Sequence, residues 1–189
     1  MKYIFLYFNL ILSSFTSYCQ IADTGIKVPQ LPLIDNRIAY TGTITIDSSV
    51  SKDQLFENAE KWYSHNFETA DNTLTIDNSA DGEISGTGII HVDKKAKHKE
   101  HDIVAGDIFF TIDIISKRGG YEYKVHSLYS IDPTGKFYYS DMYNEEQYPL
   151  SKPKWSKEYR ESMLTDMNIR VEQMIAGMQN DLNRLLLHK

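Results

Sequence analysis

Ile38, Tyr40, Ile44 and Ile46 fall on one face of an alternating stretch of the 189-residue chain, and its Thr and Ile content predicts a half-buried strand. Ser51-Lys52-Asp53-Gln54 follows as a capping box. The Ser51 hydroxyl can accept from the Gln54 amide while the Gln54 side chain reaches back, and Val50 and Leu55 bracket the cap as a hydrophobic staple. Leu55, Phe56, Ala59, Trp62 and Tyr63 then recur at helical spacing through about Asn66, which predicts a helix with one face on a sheet.

Period-two patterning resumes at Asn72 to Asp77, and Asp81-Gly82 marks a turn before Ile84 to Val92, together a predicted hairpin. Asp93 to Gly106 is rich in Lys and His with few apolar residues, and reads as a solvated loop. Asp107 to Ser116 and Tyr121 to Tyr129 alternate on either side of Arg118-Gly119-Gly120 and form the clearest hairpin. Asp132-Pro133-Thr134-Gly135 opens a Tyr-rich segment that runs to Trp155, holds Pro149 and Pro153, and receives no element. From Ser156, Met163, Met167, Val171, Met174, Met178, Leu182 and Leu185 alternate steps of four and three. At 1.5 Å per residue this helix reaches about 45 Å, enough to cross a five-stranded sheet diagonally. The order is β-α-β4-α: one α+β domain over residues 37–189, a five-stranded antiparallel sheet with both helices on one face.

Residues 1–19 combine Lys2, a short apolar run and a Ser/Thr-rich exit, the pattern of a secretory signal peptide too short for a membrane span. Cleavage after Cys19 is the leading reading; lipidation of Cys19 and a retained anchor are the alternatives, although Tyr18 and Thr16 fit a lipobox poorly. Cys19 is the single cysteine, so the mature chain is expected to fold without a disulfide on its core alone. Residues 20–36, with Gly25, Pro29 and Pro32, read as an irregular lead-in. A formal charge of −6, with both signs interspersed, disfavours nucleic acid as a partner. The expected location is the periplasm or cell surface, with no transmembrane helix in the mature chain.

Leu55 to Tyr63, the glycine-bearing strand Ile84-Ser85-Gly86-Thr87-Gly88, Gly120 to Val125 and the long terminal helix together resemble DUF4468, a bacterial domain of unknown function common in exported proteins of Bacteroidetes, over roughly residues 37–187. The resemblance implies a TBP-like, helix-grip-like fold in which a curved antiparallel sheet carries helices on one side. It implies no DNA binding, because a fold does not carry a function with it.

Candidate chemistry is sparse, and no residue is assigned a catalytic role or a cofactor. His98 and His101, with His91 nearby and Asp102 following, form the one cluster with metal-like spacing. The H-E-x-x-H order is absent, and a solvated polar loop is the plainer reading. Asp47, Asp77, Asp113 and Glu122 lie in or beside strands and would matter only if two shared a cleft; alternation turns Asp113 to the face opposite Ile112 and Ile114. Gly86 and Gly88 are expected to curve their strand. The methionines of the last helix, Met167, Met174 and Met178 among them, either line a cavity against the sheet or pack as core. Tyr138, Tyr139, Tyr143, Tyr148 and Trp155 crowd the stretch before that helix and are the best surface candidates for a partner or glycan. The expectation is therefore a non-catalytic binding or interaction module of the cell envelope, for a hydrophobic small molecule or an envelope protein. The alternatives are a metal-assisted hydrolase using His91, His98 and His101, and a structural subunit with a filled core.

Overall fold

The computed structural model describes residues 30–67, 74–92, 106–132, 135–147 and 156–184. Strands β1 (Leu33–Ile34) and β2 (Arg37–Ile38) pair as a small ribbon, and β3 (Tyr40–Thr45) leads into helix α1 (Lys52–Phe67). Strands β4 (Leu74–Asn78), β5 (Glu83–Ile90), β6 (Ile108–Lys117), β7 (Gly120–Asp132) and β8 (Gly135–Tyr138) follow, then helices α2 (Tyr139–Gln147) and α3 (Lys157–Arg184). The main sheet is antiparallel in the order β3-β7-β6-β5-β4, and β8 also pairs with β7. The long β7 serves both partners on one edge, β3 along Gly120–Val125 and β8 along Tyr129–Asp132.

The strand and helix order read from the sequence is present, with three corrections. The small β1–β2 ribbon falls at the end of the lead-in read as irregular and splits the first expected strand at Ala39. A sixth strand, β8, joins the five expected in the main sheet, and a third helix, α2, occupies part of the segment left without an element. Phe137 turned inward and Tyr138 outward continue the alternation of β7 across the turn at Asp132 and Gly135. Tyr139, Met142 and Tyr143 then change to helical spacing and bury one face.

The capping box forms as read: the Gln54 amide donates to Ser51 Oγ and the Ser51 amide to Gln54 Oε1, both at 3.2 Å. Along β6, Ile108, Phe110, Ile112 and Ile114 face inward beneath α1, while Phe109, Thr111, Asp113 and Ile115 form the outer face. On α3, Met163, Leu164, Met167, Val171, Met178 and Leu182 are buried in the same core. Burying each such side chain stabilises the fold by about 1.5–3 kcal/mol relative to exposure.

Gly86 and Gly88 make room rather than merely curving the strand. A Cβ on Gly86 would stand 2.2 Å from Tyr63 Oη, and one on Gly88 2.4 Å from Phe110 Cζ. Tyr63 lies over Gly86 and donates to the Thr87 carbonyl at 2.7 Å.

Candidate functional site

Of the aromatic segment proposed as a surface, Tyr139 and Tyr143 are instead core. Tyr139 is buried against Phe137, its hydroxyl bonded at 2.8 Å to Ser130 Oγ; burial pushes it well above the usual tyrosine range. Tyr143 lies on the buried face of α2. Both point inward because α2 exists, which a reading without that helix misses. Tyr138 alone of the three is outward, 41% exposed, beside Tyr129 and Phe109, with the Lys136 ammonium 3.6 Å from the Tyr129 ring centre. Tyr148 and Trp155 lie outside the described residues.

Met167 and Met178 are fully buried, so at those positions side chains of α3 pack as core against the sheet. Met174, only partly buried, borders an opening. Where the end of α1, β5 and the second half of α3 meet, Trp62, Phe67, Ile90, Met174, Gly177 and Met178 wall a groove of about 360 Å³, open on one side. Arg170, Gln173 and Asp181 give it a polar rim. Arg170 Nε donates to Asp166 at 2.8 Å, and Arg184 donates to the rim carboxylate of Asp181 at 3.2 Å. Trp62 is 3% exposed, and its enclosed indole Nε1 has no hydrogen-bond acceptor among the described residues.

Of the three histidines with metal-like spacing, only His91 lies among the described residues. His91 Nδ1 meets Asp107 at 3.1 Å on the exposed end of the sheet, and no group of three His, Cys, Asp or Glu side chains among the described residues is placed to hold an ion. His98 and His101 lie outside the described residues.

The strand carboxylates are dispersed. The exposed Asp47 is held below the usual carboxylate range by the Ser49 amide, and Glu122 pairs with Lys117. Asp77 faces Glu60 of α1, which is pushed up first by partial burial and then by the Asp77 charge. Asp113 does face outward, where its Oδ1 accepts from Ser85 Oγ at 2.6 Å and its Oδ2 meets His126 Nε2 at 3.1 Å. His126 Nδ1 in turn meets Ser127 Oγ at 2.9 Å. Ser127 has φ +56°, at the irregularity where β6 and β7 shift register. This cross-strand network ties three strands through polar side chains and anchors the bulge. Its members are 42 residues apart at the extremes, and only the register of β5, β6 and β7 assembles them.

Trp62 and Gly177 were the residues that sequence reasoning missed. Glycine at Gly177, inside the periodic pattern of the last helix, was the available signal.

Comparison with known proteins places this geometry. Residues 40–130 match the model of DUF4468, a domain of unknown function with TBP-like fold. A DUF4468 family protein from Bacteroides ovatus superposes with a TM-score of 0.50 at 16% identity, covering 79% of this chain and 92% of that one. A TBP-like protein from Parabacteroides distasonis superposes with a TM-score of 0.56 at 13% identity, covering 80% and 96%. No curated protein matches. Residues 40–130, which hold β3 to β7, are thus similar to the DUF4468 domain, and the sheet-and-helix plan shared with both structures gives the chain a TBP-like fold.

Proposed function

We propose that this chain is a non-catalytic binding module exported to the cell envelope, and that its ligand seat is the groove between α1, α3 and β5. The carrying observation is Gly177. Glycine inside a helix is destabilising by about 1 kcal/mol relative to alanine, and Gly177 lies well inside the helix Lys157–Arg184. Among the described residues a Cβ there would meet nothing within 4 Å, so no close packing with them calls for glycine. Position 177 instead borders the groove, where any larger side chain would narrow it. A residue that weakens its helix and leaves a groove open is the stability–function trade expected of a binding site.

Export rests on the signal-peptide pattern of residues 1–19. No helix of the described residues is long and apolar enough to cross a membrane. The core packing of Met167 and Met178 also suits a purely structural subunit, and Gly177 is what favours binding over that reading.

The test is native mass spectrometry of the chain purified from its own envelope, alongside Gly177→Ala and Gly177→Leu. Gly177→Ala is expected to raise stability by about 0.5–1 kcal/mol in denaturant titration. Gly177→Leu is expected to lose a co-purifying small-molecule mass that the parent carries. A parent of bare mass, or a leucine variant that keeps the ligand, removes the reading.

A further inference from the structure

We propose that Ser127 is an acyl acceptor: a serine, activated by His126 and held in line by Asp113, that takes an acyl group from an activated ester or thioester as a covalent ester. The site lies on the outer face of the sheet with Asp113, away from the helices, and is independent of the groove.

The backbone puts the serine there. From Phe109 to Thr111 strand β6 advances two positions, while β7 advances three, from His126 to Tyr129. The extra residue breaks the alternation of β7. Val125 and Leu128 are buried in the core, and the two side chains between them, His126 and Ser127, both stay off it, with Ser127 exposed. Bulges re-aim side chains in this way and recur beside active sites. Ser127 sits in its bulge at φ +56°, a left-handed conformation that glycine or asparagine enters more readily than serine. A bulge with only a structural task is served by either of those residues. What serine adds is the hydroxyl, and backbone strain of this kind gathers at functional sites.

The side chains put a base on that hydroxyl. Ser127 Oγ is 2.9 Å from His126 Nδ1, and His126 Nε2 is 3.1 Å from Asp113 Oδ2. A carboxylate only accepts, so the neutral imidazole carries its proton on Nε2 and donates it to Asp113, which leaves Nδ1 bare to accept from Ser127. The Ser85 hydroxyl donates to the other Asp113 oxygen at 2.6 Å and fixes the carboxylate in turn. Nucleophile, base and orienting group thus stand within the distances that activate a serine, with the two imidazole nitrogens exchanged relative to the serine hydrolase arrangement. In the reaction the Ser127 oxygen bonds to the acyl carbon and the bond from that carbon to the leaving group breaks. The serine proton passes to His126 Nδ1 and from there to the leaving group. The His126 and Asp113 side chains are 28% and 26% exposed, and so open a site gives little electrostatic help to developing charge. The donor must therefore bring a weakly basic leaving group, an aryl oxide or a thiolate.

The probe is p-nitrophenyl acetate on the full chain, with p-nitrophenolate release followed by absorbance and the acetyl group located by peptide mapping. The expected result is an acetyl ester on Ser127, removed by hydroxylamine as a lysine amide is not. It should form faster than on the exposed Ser48 by about 100-fold, the usual worth of a positioned base. His126→Gln is expected to erase that advantage. Ser127→Gly, which relieves the positive φ and so leaves folding intact, is expected to lose the fast phase of release. Asp113→Asn, whose amide can donate to Nε2 and hold the other tautomer, is expected to slow acetylation, and Asp113→Glu to restore it in part; a structural role alone would not rank the two so. Acetylation of Ser127 no faster than that of Ser48 overturns the proposal. So does a rate left unchanged in His126→Gln, or a fast phase that survives Ser127→Gly.

Discussion

Arg160→Met is expected to destabilise the protein by about 3–5 kcal/mol, the loss seen when one member of a buried ion pair is removed. The Arg160 side chain is 5% exposed, and its Nε donates to Glu146 Oε2 at 2.9 Å. That bond joins α2 to α3, and without the guanidinium the Glu146 carboxylate, itself 13% exposed, stays buried beside an apolar side chain. For a domain of this size each kcal/mol moves the midpoint by about 2–4 °C, so a fall of about 10 °C is expected in thermal unfolding. Arg160 has partners besides Glu146, so the single variant does not isolate the pair. The double variant Arg160→Met/Glu146→Leu removes the stranded Glu146 carboxylate and is expected to regain the part of the loss that comes from it. If the double variant is as unstable as Arg160→Met alone, the stranded carboxylate is not the cause.

Phe110→Ala is expected to cost about 3–5 kcal/mol by opening a cavity at the centre of the sheet. Phe110 is 1% exposed, stands edge-on to Phe67 with ring centres 5.5 Å apart, and covers Gly88 on the neighbouring strand. The coupling to Gly88 makes the sharper test. In the parent, Gly88→Ala drives a methyl group against the Phe110 ring and is expected to destabilise by about 1–3 kcal/mol through overpacking. In the Phe110→Ala background the same change partly fills the vacated space, and its effect is expected to reverse sign. Denaturant titration of the four proteins of this cycle measures both values; additive effects would show that Phe110 does not occupy the space above Gly88.

Much of the fold was legible locally. The alternation of β6 and β7, the capping box at Ser51 and Gln54 and the four-three stripe of α3 are each written in a few consecutive residues, because strand and helix periods declare which side of an element is apolar. The same locality carried the family resemblance through Leu55 to Tyr63 and Gly120 to Val125. It failed at Tyr139 and Tyr143, where aromatic crowding was taken for a surface. Period alone says that a face will be buried, and a nine-residue helix between prolines gives a weak period.

The sequence by itself determined the order of the main strands and of the two long helices and their apolar faces, since these follow from backbone geometry and the spacing of side chains along it. Only the tertiary structure decided what meets those faces. Strand register set Gly88 under Phe110 and joined Ser85, Asp113 and His126. Helix packing buried Arg160 with Glu146 and set Met167 and Met178 in the core. It also left Trp62 and Gly177, 115 positions apart in the chain, bordering one groove. The reason is that close packing is settled by the shapes of residues remote in sequence, and a pattern of apolar positions carries no record of those shapes meeting.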